Sequence, residues 1–273
     1  MKQKSSKKLL STSLLLVLIA LVSLTAATTA WMTIADSTRL KTMRLDVTSG
    51  ANLRFDLDSH ETFEEYVKSL RLIDIADRIL RDQGYHPREN PLSPVTTTDC
   101  IHFTLENGEP AAKESYMEFV LHFMATDDMV VHLTTAGEEG TRIFSDEVSD
   151  IAKAMRISFT ADDSTAVYDP CMEPGSEEGL GGKIFGLARG NRIVYDTSNT
   201  LFFLKAGVDK PVTVRIWLEG TDEICTDALR GVPYHIQLRF VGTDENGNLL
   251  EDSRTTTRRS AAATPTEERN ENK

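Results

Sequence analysis

The chain has 273 residues, 40% of them hydrophobic and 26% charged, with a formal net charge of −12. That is enough apolar material for a real core, and about 240 residues remain if a leader is removed, one large domain or two small ones. The acidity argues against nucleic acid and against an anionic membrane surface, since both are bound by excess Lys and Arg.

The first segment reads as a secretory signal peptide over residues 1–30. Lys2, Lys4, Lys7 and Lys8 precede an apolar run from Leu14 to Val22, and the small residues Ala26, Ala27, Thr28, Thr29 and Ala30 follow. The apolar run is shorter than the ~20 residues of a spanning helix. A secreted protein is therefore expected, cut after Ala30, with Thr28, Ala30 and Trp31 marking the cleavage site.

Strands are predicted from Thr42 to Val47 and from Asn52 to Leu57. In the second, Leu53, Phe55 and Leu57 alternate with Asn52, Arg54 and Asp56. Ser49-Gly50 between them suggests a hairpin or a bulged strand. A long helix is predicted from about Thr62 to Gln83, with Phe63, Tyr66, Val67, Leu70 and Ile73 on its apolar face. Thr62 and Glu65 would form a capping box, and Gly84 would end the helix. Pro87 to Asp99 reads as a loop and Ile101 to Leu105 as a short strand. Tyr116 to Ala125 and Met129 to Thr134 alternate strongly around Thr126-Asp127-Asp128, the clearest hairpin signal in the chain.

Ser145 can cap a short helix ending at Ala152 to Met155, and Arg156 to Phe159 reads as a strand. Asp169 to Asn191 is predicted to be a long Gly- and Pro-containing loop. Ile193 to Tyr195, Leu201 to Leu204, Val212 to Leu218 and His235 to Val241 are strand candidates. Asn246-Gly247 is a tight-turn pair. The main domain is assigned to residues 31–252. Residues 253–273 are polar, lack aromatic and β-branched aliphatic residues, and are predicted to be a disordered tail. No sortase-type motif or second apolar segment is present, so no anchor is expected after processing. Many short strands, one long helix, one short helix and no βαβ rhythm predict a mainly-β antiparallel sandwich.

Few residues suggest chemistry. His60-Glu61 lacks the second histidine of a zinc-peptidase H-E-x-x-H helix. His122 and His132, one in each arm of the predicted hairpin and accompanied by Glu118, could bind a metal if they faced each other. Asp56, Asp58 and Glu61 could form a weak cation site. Gly179 to Lys183 fails the spacing of a phosphate-binding loop. Cys100, Cys171 and Cys225 form no C-x-x-C pair. Either one disulfide among them with one free thiol, or three unpaired thiols, fits an exported chain.

Three stretches resemble the TasA/camelysin family of secreted bacterial proteins. The first is the Lys-rich start, the T-x-A cut, Trp31, Asp36 and Met43-Arg44-Leu45-Asp46-Val47. The second is Ala154-Met155-Arg156-Ile157-Ser158-Phe159. The third runs from Ile216-Trp217-Leu218-Glu219-Gly220 through Cys225 to the strand at Ile236. Met32-Thr33-Ile34-Ala35 departs from the family's usual Phe-Ser-Asp continuation.

The resemblance implies a jelly-roll sandwich with inserted helices and processing by a SipW-type signal peptidase. It also implies a non-enzymatic role at the cell surface or in a biofilm matrix, without a cofactor. Partners would be other copies of the chain or related matrix subunits, joined into fibres by strand donation. The donor would be Trp31 to Val47, with Leu40, Met43, Leu45 and Val47 filling pockets of the next subunit. The alternatives are a camelysin-like metallopeptidase using His122, His132 and Glu118, and a ligand-binding β-sandwich adhesin.

Overall fold

Strands of alternating polarity can bury one face only against a second sheet, and this chain builds two. The computed structural model describes residues 40–47, 52–226, 229 and 232–250. The expected signal peptide, the Ser49-Gly50 turn and the polar tail lie outside these residues.

The first sheet contains β1 (Leu40–Val47), β3 (Ser69–Arg71), β7 (Met129–Leu133), β8 (Arg142–Phe144), β13 (Thr200–Leu204) and β15 (Tyr234–Thr243). Its order is β13-β7-β15-β1-β3, with β8 beside β7 along the same flank of β15. The second sheet contains β2 (Leu53–Asp56), β4 (Pro94–Thr97), β5 (Phe103–Thr104), β6 (Met117–Ala125), β9 (Met155–Ala161), β10 (Ser164–Tyr168), β11 (Gly175–Gly179), β12 (Gly182–Gly186) and β14 (Lys210–Glu219). It runs β11-β12-β10-β9-β14-β6-β2, and β4 and β5 extend it past the end of β6.

The molecule is thus the expected mainly-β sandwich with one long and one short helix. Both sheets are mixed: β1 with β15, β10 with β12, and β14 with β4 pair in parallel.

The core lies between the sheets. Phe240 of β15 reaches the opposite sheet, where its ring centroid is 5.2 Å from Phe123, 5.7 Å from Phe55 and 5.9 Å from Phe159. Such tilted and edge-on aromatic pairs add to the area they bury. A second, smaller cluster sits outside the second sheet. There Trp217, on the outward face of β14, is covered by Val95, Cys100 and Phe103, and its indole N–H donates to Glu219.

The long helix starts ten residues later than predicted: α1 spans Leu72–Gln83. The Thr62–Glu65 capping box does form, with the Thr62 amide donating to Glu65 at 3.0 Å, but it closes only a 3-10 turn over Phe63–Glu65. Between turn and helix, Val67 exchanges both backbone bonds with Phe55, and β3 pairs with β1. Two open strand edges therefore capture residues whose side-chain spacing alone allows a helix. The buried face of α1 is Leu72, Ile75, Ala76 and Ile79, whereas Ile73 is exposed. Gly84 ends α1, as predicted, and does so in the left-handed conformation.

The predicted β6–β7 hairpin is an arch. Both strands exist, but β6 pairs with β14 and β2 in one sheet, and β7 with β13 and β15 in the other. Leu121 and Phe123 face Met129, Val131 and Leu133 across the core, so the same alternation that suggests a hairpin serves two layers. The β1–β2 pair likewise divides between the sheets.

The short helix α2 is Ile151–Ala154, with the Ile151 amide bonded to Ser149 Oγ, while Ser145 donates to the Pro233 carbonyl. The predicted loop from Asp169 to Asn191 contains the β11–β12 hairpin, which turns at Leu180 and Gly181, both with positive φ. Ile193 to Tyr195 belongs to no strand.

Candidate functional site: the first strand in its sheet

β1 is an interior strand with no neighbour in sequence beside it. Its parallel partner β15 lies almost two hundred residues away, and its antiparallel partner is β3. The predicted donor residues Leu40, Met43, Leu45 and Val47 are all buried, Leu45 completely. Each such side chain contributes roughly 1.5–3 kcal/mol of hydrophobic stabilisation. The spacing from Leu40 to Met43 breaks the period of two, and a register shift between Leu40 and Thr42 absorbs the extra residue.

On the outer face, Thr42 Oγ1 lies 2.7 Å from His235 Nδ1, and Arg44 pairs with Asp46 and with Glu139 at 3.0 Å. The segment before Leu40, and the cleavage residues Thr28, Ala30 and Trp31, lie outside the described residues. Within this chain, then, the four donor residues fill the chain's own core.

The two histidines do not meet. His122 lies on the outer face of β6, while His132 is buried on β7 in the opposite sheet. His132 donates from Nδ1 to Asn199 at 2.8 Å, and its Nε2 faces Thr243 Oγ1 at 3.2 Å. Burial pushes its pKa down, against the upward pull of the Asn199 hydrogen bond. Glu118 is ion-paired with Arg215 on the neighbouring β14. The metal set His122, His132 and Glu118 is therefore dispersed, because the strands that carry the histidines form an arch and not a hairpin. Among the described residues, no group of three or more His, Cys, Asp or Glu side chains is close enough to hold a metal ion.

His122 instead joins a polar cluster that sequence reading missed. Asp209, just before β14, accepts from Tyr66 Oη at 2.7 Å on one carboxylate oxygen. On the other it accepts from His122 Nδ1 at 2.8 Å and Ser59 Oγ at 2.9 Å. Tyr66 also accepts from the His60 amide, and His60 lies 3.3 Å from Asp56. Burial raises the Asp209 pKa, but the bonds from His122, Tyr66 and Ser59 outweigh it and hold the carboxyl below its ordinary value.

A hydrolytic triad places the imidazole between serine and carboxylate. Here the carboxylate lies between serine and imidazole, so the cluster clamps three chain segments together and does not activate Ser59. No local motif announces it: Asp209 is 143 residues from Tyr66 and 87 from His122.

Asp58 pairs with Arg78 and Asp56 faces the His60 imidazole, so two members of the acidic trio with Glu61 already have side-chain partners. All three cysteines are free: Cys100 is buried, Cys225 is half-buried and Cys171 is exposed. Burial pushes the Cys100 and Cys225 thiols up to about 11, which keeps them protonated at neutral pH. No described helix is long and apolar enough to cross a membrane.

No protein-family model matches the chain, and no curated protein or solved structure matches it either.

Proposed function

We propose that the chain is a secreted, non-enzymatic subunit of a cell surface or biofilm matrix, freed by a SipW-type signal peptidase. Its first strand completes the sheet either of its own domain or of a neighbouring copy. The observation that carries this reading is the position of β1: an interior strand whose long parallel partner, β15, is almost two hundred residues away, with the short β3 on its other side. Its only covalent continuation among the described strands leads to β2, in the other sheet. Leaving its own place, β1 would strip β15 of seven paired positions, and an identical strand from another copy would restore all of them. A head-to-tail exchange of this kind grows open filaments instead of closed dimers.

The described sheet edges favour exchange over simple edge-to-edge stacking. Lys183 Nζ, from β12, donates to the carbonyls of Thr197 and Thr200 beside the edge strand β13. Val67 occupies the backbone of Phe55 on β2. β3 is three residues long and runs into α1. The outermost strand β11 presents exposed Glu177 and Glu178. Short, charged or covered edges of this kind oppose strand addition.

The test compares the chain starting at Trp31 with one starting at Thr48, by negative-stain electron microscopy and sedimentation. Fibres are expected from the longer form alone. Monomers from both under all conditions would remove the assembly reading.

A further inference from the structure

We propose that the outer face of the first sheet carries a binding groove for a small organic anion, one with a carboxylate or phosphate head and an apolar body. The groove holds about 390 Å3, within the usual size range of ligand pockets. One wall is β1 and the other is the junction of β3 with α1.

The charges are the first argument. Arg71 of β3, Arg44 of β1, Gln237 of β15 and Arg142 of β8 stand in one row across four strands, each directly opposite the next. Arg71 and Arg44 are thus like charges in direct cross-strand opposition, an arrangement that destabilises a sheet. Lys41 and Arg88 line the same groove.

Arg44 is neutralised by Asp46 and Glu139. Lys41, Arg71 and Arg88 make no ion pair with any described residue. A chain with a net charge of −12 has carboxylates in excess, yet this groove leaves three cations without one. An anion placed among them offsets the repulsion, and the planar forks of Arg71 and Arg88 suit two-point binding of a carboxylate or phosphate.

The floor is the second argument. Met43, Leu72 and Ile236 line it but turn their side chains into the core, so the apolar surface open to a ligand is that of Ile73, 43% exposed, and of Phe144. The Phe144 ring closes the far end, stacked on His235 at 4.8 Å between centroids. Bare inorganic phosphate would use the cations and leave this apolar surface wet. An anion with an aromatic or alkyl body would cover both.

The inference is independent of assembly, because it needs β1 only where the structure places it. The probe is 1-naphthyl phosphate, titrated into the chain starting at Trp31 by isothermal calorimetry, with 1-naphthoate as the carboxylate arm and neutral 1-naphthol as control. Binding is expected for both anions, weaker by about tenfold or more for naphthol and for the double variant R71Q/R88Q, as expected for lost charge-assisted bonds. The variant R81Q, altered on α1 outside the groove, should bind as the parent does. Circular dichroism and thermal melting of the variants separate lost binding from lost folding. Binding of naphthol as tight as that of the anions would overturn the proposal. So would unchanged affinity in folded R71Q/R88Q, or no heat from either anion above about 1 mM.

Discussion

Leu45 of β1 lies directly opposite Leu238 of β15 in parallel register, and neither side chain has any exposure to solvent. This contact joins the first described strand to the last and locks the middle of the first sheet. Leu45→Ala removes three buried carbons from a site flanked on both sides by paired strands, where little can collapse into the void. A loss of about 2–5 kcal/mol is expected, read from urea unfolding as a lower midpoint at unchanged slope. In an exchanged filament the same contact forms between copies, so the variant should also shed subunits faster on dilution.

Exchange and self-pairing can be separated by a covalent lock. Thr42 and His235 are register partners whose side chains already touch at 2.7 Å. Adjacent strands run about 4.8 Å apart, inside the Cα range of about 4.4–6.8 Å that a disulfide spans. In a background with the exposed Cys171 changed to Ser, the pair Thr42→Cys and His235→Cys should oxidise within one chain and hold β1 in its own sheet. The oxidised protein is expected to remain monomeric by light scattering, and reductant should restore assembly. Fibres that form equally well from the oxidised monomer would show that β1 does not exchange.

How much of this was legible in the sequence depends on the distance over which each feature is decided. Alternation in Met117–Ala125, Met129–Leu133, Lys210–Glu219 and Tyr234–Thr243 marks strands with one buried face, and those strands are present. Alternation does not say which sheet a strand joins, and that is where the β6–β7 hairpin reading fails. The segment from Phe63 to Arg71 has helical spacing but lies beside the open edges of β1 and β2, and strand pairing overrides local preference. Gly175 to Gly179 has no apolar residue at all, so β11 is defined only by its partner β12. The donor residues were legible as an apolar set, and the parallel pairing with β15 was not. The Asp209 cluster and the arginine row are assembled from strands far apart in sequence, so no window of the chain contains either.

His132 predicts a pH dependence. Its folded-state pKa lies below the ordinary 6.5 because burial disfavours the imidazolium. The unfolded chain therefore binds a proton that the folded chain resists. This contribution to stability is present above pH 6.5 and is lost as pH falls from there through the lower folded value. Urea midpoints should drop between pH 7.5 and pH 5.5. His132→Gln should flatten that drop while costing roughly 1–3 kcal/mol at pH 7.5, since Asn199 and Thr243 lose their buried partner. An equal drop in the variant would place the titration elsewhere.

Asp209 predicts the opposite limb, in acid. Its folded pKa lies below the ordinary 3.8; burial pulls it up, and the bonds from His122, Tyr66 and Ser59 pull it further down. The carboxylate's contribution is complete above pH 3.8 and disappears as pH falls through the lower folded value. Asp209→Asn keeps the shape but replaces one acceptor oxygen with a donor, so either Tyr66 or the Ser59–His122 pair must face an N–H. A loss of about 1–3 kcal/mol is expected at pH 6, with the loops from Ser59 to Tyr66 loosened in hydrogen exchange. Because the parent loses the same interaction in acid, the two stabilities should converge between pH 3.8 and pH 2. A gap that stays constant over that interval would mean that packing, and not the charge on Asp209, holds these three segments together.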